Sequence, residues 1–247
     1  MKTLILFSFI CFACTKIEYI IEQPMKTTMV NDSINVKVTK PAIDTVKPVK
    51  PAKYVLHDID GNVYDSIVIG LQTWMTENLK TTKFNDGTPL IDASIDSVWQ
   101  NTRQAAYGTD GYNVFYNFPA VYTDGWTDNK LCPVGWHVST DSDWMLLEAS
   151  LGVPDSELNT FGSQGTIVAY WLEQSGFKAR LEGMRTSTGE YIGGGHSAFW
   201  WCGMVAMDQL IHYNGSPVDR DISLFLGSID RRAVEDNEGL SVRCVKN

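Results

Sequence analysis

The sequence predicts an α+β domain in which two helices and short antiparallel strands are joined by long loops. Three observations lead to this prediction. Apolar and β-branched residues flank a turn signal near residue 60, a segment near residue 145 has helical apolar spacing, and the last residues have the composition of a strand. The glycine- and aromatic-rich stretches between these segments have no regular period, which is typical of loops.

The segment from Val55 to Ile69 is predicted to form a β-hairpin. Asp60-Gly61 lies between its two apolar runs, and Asp-Gly is favoured in type I′ turns, which need positive φ at both central residues. The stretch 58–62 also has alternating oxygen side chains around a glycine, as in part of a calcium loop, but no bidentate glutamate follows at the required spacing. A hairpin turn is therefore the preferred interpretation, and calcium is the alternative.

The clearest predicted helix begins after Ser139 or Thr140, either of which can cap it. Acidic residues favour its first turn, apolar residues recur at positions i, i+3 and i+7, and a glycine and a proline end it. The acidic residues are Asp141 and Asp143, and the apolar residues are Trp144, Leu147 and Leu151. The residues that end the helix are Gly152 and Pro154. A second helix is predicted over about 167–174, ended by Gly176, and a closing strand over 240–245.

Residues 1–14 are predicted to be a lipoprotein signal. Lys2 precedes the apolar run 4–10, which is too short to span a bilayer, since spanning takes ~20 helical residues. Ala13 before Cys14 resembles the bacterial lipobox, so Cys14 is the expected lipid anchor. Lipidation at Cys11 and an ordinary cleaved signal are the alternatives. The expected location is the cell envelope, as an outer-membrane lipoprotein facing the periplasm or the outside.

Residues 15–53 are predicted to be a flexible tether that carries the domain 54–247. The tether has no aromatic residue after position 19 and contains four prolines, so it cannot bury enough apolar surface to fold alone. Removing Lys2 and the tether's seven lysines and four acids from the totals of 20 and 29 leaves 12 basic and 25 acidic residues in the domain, a net charge of −13. Such an acidic domain is repelled by phosphate backbones, which excludes nucleic acid as the expected partner.

Export would leave three cysteines in an oxidising compartment: Cys132, Cys202 and Cys244. Two of the three are expected to pair and one to stay free. The three lie far apart in sequence, which argues against a structural zinc site, because such sites use clustered pairs.

Several segments of the sequence form an ordered set of motifs: Asp60-Gly61-Asn62-Val63-Tyr64, the run 69–79, Asn85-Asp86-Gly87, the run 131–138, Asp143-Trp144 and the closing run 239–245. Taken in this order, they resemble the Fibrobacter succinogenes major paralogous domain of exported proteins from Bacteroidetes and Fibrobacteres. This resemblance implies a C-type-lectin-like fold, the architecture also used by formylglycine-generating enzymes. It further implies a disulfide between Cys132 and Cys244. Cys202 follows two tryptophans, where the family more often has Ser, and it is expected to be a small buried residue. The close cysteine pair that holds copper in those enzymes is missing, so their oxidase chemistry is not expected.

The acidic loop 235–238 is the best candidate for a segment that binds a ligand. In lectin-like folds the ligand loops precede the closing strands, and the carboxylate and amide oxygens of Asp236, Asn237 and Glu238 suit calcium. A solvated acidic loop is the alternative, since no E-P-N or W-N-D motif is present. Trp99, Tyr122 and Trp126 are the candidate aromatic contacts, because exposed aromatic rings stack on sugars and anchor interfaces.

No catalytic motif accompanies these candidates. The four histidines have no metal-ligand spacing, and no G-x-S-x-G nucleophile elbow occurs. The expected function is a non-catalytic binding or adhesion module for a glycan or a protein, held on the membrane by its lipid and needing no cofactor unless calcium binds. One alternative is a structural or accessory subunit of a surface assembly. Another is an enzyme of unknown type.

Overall fold

The computed structural model describes residues 54–122, 130–165, 168–202, 216–223 and 227–247. The strands in these residues are β1 (Val55–His57), β2 (Val63–Ile69), β3 (Gln72–Met75), β4 (Ile91–Asp92), β5 (Ala106–Thr109), β6 (Val114–Tyr116), β7 (Trp136–Val138), β8 (Gly162–Gln164), β9 (Met184–Arg185), β10 (Tyr191–Ile192), β11 (Ser197–Cys202), β12 (Val218–Ser223), β13 (Ile229–Ala233) and β14 (Cys244–Lys246). The helices are α1 (Asp96–Asn101), α2 (Phe118–Val121), α3 (Asp141–Ser150), α4 (Asp155–Leu158) and α5 (Val168–Gln174). The predicted α+β class is confirmed.

One sheet joins the beginning of the domain to its end. Its strand order is β1-β2-β3-β14-β7, so the last strand lies between β3 and β7. All its pairs are antiparallel. Cys244 of β14 and Cys132, just before β7, form a disulfide, as the resemblance implied. The last strand is thus held by its pairing with β3 and β7 and by a covalent bond to the segment before β7.

The predicted hairpin forms, but its turn is not the two-residue type. His57 pairs with Val63, so the connecting loop spans 58–62. The Asp58 carboxylate accepts hydrogen bonds from the backbone of Asp60 and Asn62, and this closes a wider loop. Gly61 has φ +84°, as a turn glycine requires.

A second sheet has the order β11-β12-β13-β8 and is antiparallel throughout. Two smaller sheets pair β4-β5-β6 and β10-β9. The β4–β5 pair is parallel, which departs from the predicted antiparallel pattern. Helix α1 lies between β4 and β5 in the chain and allows the crossover that parallel pairing needs.

Both predicted helices are present, and three further short ones occur in the described residues. Thr140 caps α3 through a complete capping box with Asp143. Helix α5 ends at Gln174, before Gly176 at φ +85°. Helices α1, α2 and α4 have only four to six residues. Helices of that length cannot show a repeating apolar period, so the sequence pattern does not reveal them.

The described core consists of two large apolar clusters and a small one around Trp99, and β11 contributes to the two large ones. Trp200 and Cys202 pack with Trp74 and Trp144 in one cluster, while Trp201 belongs to the other. This division follows from the alternation of side chains along a strand. Strand β11 is therefore covered on both faces, which explains why polar and apolar residues do not alternate along it.

The predicted closing strand 240–245 is shorter than expected. Strand β14 covers only Cys244–Lys246. Leu240 and Ser241 instead make isolated bridges to Tyr116 and Trp200, which belong to different sheets, so no continuous ladder forms there. Within the described ranges, no helix has the length and apolar character needed to cross a membrane.

Candidate ligand-binding site

The acidic loop 235–238 lies beside Phe118, the first residue of α2. The backbone N–H of Phe118 donates to the carbonyl of Asp236 at 3.0 Å. The Phe118 ring stacks on Tyr122, with ring centroids 5.4 Å apart and planes 7° from parallel. Phe118 thus brings together two predicted ligand contacts, Tyr122 and the acidic loop, that are more than a hundred residues apart in sequence.

An open groove of about 370 Å³ adjoins this loop. Its lining residues are Met184, Ser216, Arg232, Ala233, Val234, Glu235 and Glu238. The volume falls within the range of ~300–1,000 Å³ that is usual for small-ligand sites. The groove presents a guanidinium and two carboxylates over a partly apolar wall. It can therefore offer hydrogen-bond donors and acceptors side by side.

Arg232 is held in a fixed orientation at the groove. It donates to Asp219 at 2.8 Å and lies 2.6 Å from an Asp221 carboxylate oxygen. Its guanidinium also lies over the Phe199 ring, 5.1 Å from the centroid. The Arg232 side chain is nevertheless 44% exposed, so it can still meet a ligand. We call Arg232, Asp219 and Asp221 the arginine clamp.

The carboxylates of the arginine clamp are strongly affected by burial. Burial raises the pKa of Asp219 to about 7 and that of Asp221 to about 6, against the opposing attraction of Arg232. One oxygen of Asp219 has no hydrogen-bond partner among the described residues. Burial also raises the pKa of Glu238, and a hydrogen bond from the Glu235 backbone opposes that shift. These buried carboxyl groups therefore hold their protons more readily than exposed acids do.

The acidic loop does not form a converging set of carboxylates. Asp236 is exposed, and the loop is closed by a hydrogen bond from the Glu238 N–H to the Glu235 carbonyl. In the part of the chain that the structure describes, no group of three or more histidine, cysteine or acidic side chains is placed to hold a metal. Calcium at Asp236, Asn237 and Glu238 stays a prediction.

The alternative calcium loop at 58–62 is occupied by its own hydrogen bonds. Asp58 accepts from two backbone N–H groups, the Asn62 amide and the Tyr64 hydroxyl. Asp60 accepts from Thr82 and pairs with Lys83 at 2.8 Å. These contacts lower the pKa of Asp60 to about 2 although burial opposes the shift. The carboxylates hold the hairpin against the following loop.

The structure corrects the prediction that Trp99 is a surface contact. Trp99 is only 1% exposed, donates its indole N–H to the Thr186 carbonyl, and lies beneath the Arg185 guanidinium. Its helix turns the ring inward against Gly239, where an added Cβ would meet the ring at 2.8 Å. Two other predicted positions, Trp126 and the lipid-anchor Cys14, lie outside the described residues.

A buried ionic network lies on the opposite face of β12 from the arginine clamp. Arg220 donates to Asp141 at 2.7 Å and to Glu148 at 2.6 Å, and Arg231 also donates to Asp141. Burial raises the pKa of Glu148, and Arg220 opposes that shift. Cys202 is the free cysteine expected from the resemblance: it is buried beside Arg220, and burial raises the pKa of its thiol well above the ordinary value.

Sequence reasoning did not identify the arginine clamp or the buried network. The only signal is the run Asp219-Arg220-Asp221, where charges occupy a segment flanked by valine and isoleucine. Alternating signs in a short strand place the acids on one face and the arginine on the other. The partners that neutralise them are on β13 and α3, and only the tertiary structure brings those elements together.

Comparison with known proteins places the chain in a family. No curated protein and no solved structure matches it. The family model of the Fibrobacter succinogenes major domain (Fib_succ_major) matches residues 67–246. The match extends from β2 to β14 and includes both cysteines of the disulfide, the acidic loop and the arginine clamp. The chain therefore belongs to the Fibrobacter succinogenes major domain family.

Proposed function

We propose that this chain is a lipid-anchored protein of the bacterial cell envelope whose domain is a non-catalytic binding or adhesion module. Its ligand is a glycan, or a protein displayed on the envelope or on a host. The observation that carries this proposal is the pre-oriented Arg232 beside the carboxylates of Glu235 and Glu238, at the mouth of a groove of about 370 Å³.

The chemistry of the groove suits a hydroxyl-rich ligand. A guanidinium donates hydrogen bonds, carboxylates accept them, and each sugar hydroxyl can do both. Because the clamp already fixes Arg232, little side-chain entropy is lost when a ligand binds. The net charge of −13 on residues 54–247 disfavours polyanions.

A binding role is preferred over catalysis because of where the high-pKa carboxylates lie. The Asp219 side chain has no exposed surface, and Asp221 is only 10% exposed. Both are engaged with Arg232 and serve to hold it. They are poorly placed to exchange protons with a substrate.

The proposal includes a C-type-lectin-like fold and export. The disulfide between Cys132 and Cys244 supports export, since structural disulfides persist in oxidising compartments. An acidic loop directly before the closing strand, next to a groove, supports a lectin-like placement of the ligand. Cys14 is the proposed lipid anchor, and 15–53 the tether.

A glycan array tests the ligand class. The chain from residue 15 onward, without its signal, is applied to the array with and without calcium. We expect binding to a restricted set of neutral glycans. Binding that requires calcium would support the metal at Asp236, Asn237 and Glu238. No binding under either condition would reject the glycan version of the proposal.

The substitution Arg232→Lys tests the groove itself. Lysine keeps the positive charge but lacks the planar guanidinium, which can donate to Asp219 and Asp221 and to a ligand at the same time. The affinity for the ligand should therefore fall about tenfold or more. Arg103→Lys is the matched control, because Arg103 is exposed and donates only to nearby carbonyls. Equal affinity of both variants for an array-selected glycan would place the site elsewhere.

A specific observation favours a structural subunit as the second candidate. Exposed apolar side chains surround β1 beside a second groove of about 360 Å³: Tyr54, Val55, Ile59 and Val134. Exposed apolar side chains grouped around a groove are typical of protein interfaces. Light scattering on the purified chain, and identification of any stoichiometric co-purifying protein, tests this candidate. A monomer without a fixed partner would reject it.

A further inference from the structure

The strongest remaining feature is a groove between α4 and α5, apart from the residues of the arginine clamp. It has a volume of about 330 Å³, and its lining includes Glu157, Val168 and Trp171. An aromatic ring, a carboxylate and an aliphatic wall meet at one open surface. No motif in the sequence pointed to these residues.

Trp171 differs from the other tryptophans that the structure describes. Its side chain is 44% exposed, whereas the other described tryptophans are between 0% and 7% exposed. The core-facing side of α5 is formed by Val168 and Leu172, both buried. Tyr170, at 56% exposure, meets Trp171 edge to face with centroids 5.1 Å apart. The ring is therefore supported by a neighbour and presented outward.

Polar atoms accompany the ring. One carboxylate oxygen of Glu157 accepts the Gly165 N–H at 2.9 Å, which fixes the side chain at the groove. The second oxygen of Glu157 accepts no hydrogen bond from the described residues, and the indole N–H of Trp171 donates to none of them. The groove thus offers one free acceptor and one free donor beside an aromatic face.

We propose that this groove binds a ring of a neutral saccharide, stacked on Trp171 with a hydroxyl donating to Glu157. The apolar C–H face of a pyranose matches an exposed indole, and its equatorial hydroxyls match a fixed carboxylate. A volume of about 330 Å³ accommodates a small number of sugar rings. The acidic character of the domain favours an uncharged sugar over an anionic one.

This inference rests on the proposed glycan-binding function and adds a second, aromatic subsite to it. An oligosaccharide or a branched glycan long enough to reach both grooves would bind with greater avidity than either groove provides alone. The competing occupant is a lysine or arginine side chain of a protein, since a cation also stacks on tryptophan and pairs with a carboxylate.

Indole resonances give a direct test. The chain from residue 15 onward, labelled with ¹⁵N-tryptophan, should show eight indole signals, and the variant Trp171→Phe identifies the Trp171 signal by its loss. The probes are neutral xylo-, cello-, malto- and chito-oligosaccharides, with pentalysine as the cationic comparison. We expect the Trp171 signal to shift with at least one neutral oligosaccharide, at low and high salt alike.

Variants then test the contacts. Glu157→Gln should weaken that oligosaccharide about tenfold, and Trp171→Ala should abolish binding in calorimetry. Tyr112→Ala is the control, because Tyr112 is an aromatic residue that is 84% exposed on another loop. The affinity of this variant for the same oligosaccharide should be unchanged. Circular dichroism of each variant establishes that the fold is retained.

The outcomes separate the two proposals. If no neutral oligosaccharide moves the Trp171 signal, this inference is rejected, and glycan binding that Arg232→Lys abolishes would leave the proposed function standing. A shift produced only by pentalysine and lost at high salt would assign the groove to a cationic side chain instead. Absence of any glycan on the array together with an unmoved Trp171 signal would reject both.

Discussion

Arg220 has no exposed surface, yet its charge is matched by carboxylates on α3. Asp141 accepts from Arg220 and from Arg231, so one carboxylate serves two buried guanidinium groups. Breaking such a network is more costly than never forming it, because the remaining charge is left buried without a partner. Strand β12 can be central in its sheet only because its charges are paired on both faces.

The substitution Asp141→Asn should therefore destabilise the domain strongly. The amide has nearly the same volume but lacks the negative charge that two arginines share. We expect the free energy of unfolding to fall by about 3–5 kcal/mol, measured by urea denaturation. Asp155→Asn, an exposed acid in the first turn of α4, is the control and should change stability little. A small effect at both positions would show that the network is not energetically coupled.

Asp219 makes stability depend on pH. Its folded pKa of about 7 is above the ordinary value of 3.8, so the folded state binds the proton more tightly than the unfolded state. This contribution is complete below the unfolded pKa and is lost as pH rises through about 7. Asp221, with a pKa of about 6, acts in the same direction.

The substitution Asp219→Asn should reduce this pH dependence. Asparagine mimics the protonated acid and cannot lose a proton, so the decline in the free energy of unfolding between about pH 4 and pH 7 should become shallower. Urea titrations of both chains across this range give the comparison. Parallel curves for the variant and the natural chain would show that Asp219 titrates normally.

At the scale of the elements, α3 connects local capping to the sheet. Thr140 accepts the Asp143 N–H at 3.2 Å, and the Asp143 carboxylate accepts from the Thr140 N–H at 2.8 Å. The same carboxylate meets His137 of β7 at 3.0 Å and Gln72 of β3 at 2.9 Å. The hydrogen bond to Asp143 raises the pKa of His137 although burial opposes it. The cap therefore holds the helix to two strands.

The substitution Thr140→Ala should cost about 1 kcal/mol of stability, since the helix loses its capping hydroxyl. Thermal unfolding followed by circular dichroism measures the change. Thr160→Ala is the matched control, because Thr160 is an exposed threonine whose hydroxyl donates only to a carbonyl three residues away. An equal shift of the midpoint in the two variants would contradict a special role for the cap.

How well the sequence predicts these elements depends on how far apart along the chain their interacting residues lie. The capping box uses residues three positions apart, so the sequence pattern identifies it. The hairpin was also recognisable, but its turn type was not, because the Asp58 carboxylate reorganises the loop. The run Asp219-Arg220-Asp221 lacks apolar alternation, and its partners lie 11 to 79 residues away. No local pattern predicts such a strand.

At the scale of the whole molecule, the disulfide joins two positions that are far apart in the sequence. Cys132 and Cys244 are separated by 112 positions, and both are fully buried. In the chain-entropy model, a closed loop of this length stabilises the folded state by about 4–5 kcal/mol. The bond joins the segment just before β7 to β14, and β14 also pairs with β7 along its length.

The double substitution Cys132→Ser and Cys244→Ser should lower the free energy of unfolding by about 4–5 kcal/mol, because the unfolded chain regains the freedom of a long loop. Urea denaturation with and without reductant measures this. The variant Cys202→Ala keeps the disulfide and is the control, and reductant should destabilise it as much as it does the natural chain. Insensitivity of the natural chain to reductant would contradict the prediction.

The sequence alone determined the α+β class, the hairpin near residue 60, both longer helices and, through the family resemblance, the disulfide. These features depend on neighbouring residues or on long motifs shared with the family. The tertiary structure decided that Trp99 is buried, that Phe118 joins Tyr122 to the acidic loop, and that Arg232 is clamped at a groove. It also decided that Trp171, and no other described tryptophan, is presented to solvent. Burial and charge pairing depend on which distant segments meet, and that information is distributed over the whole chain rather than contained in any one motif.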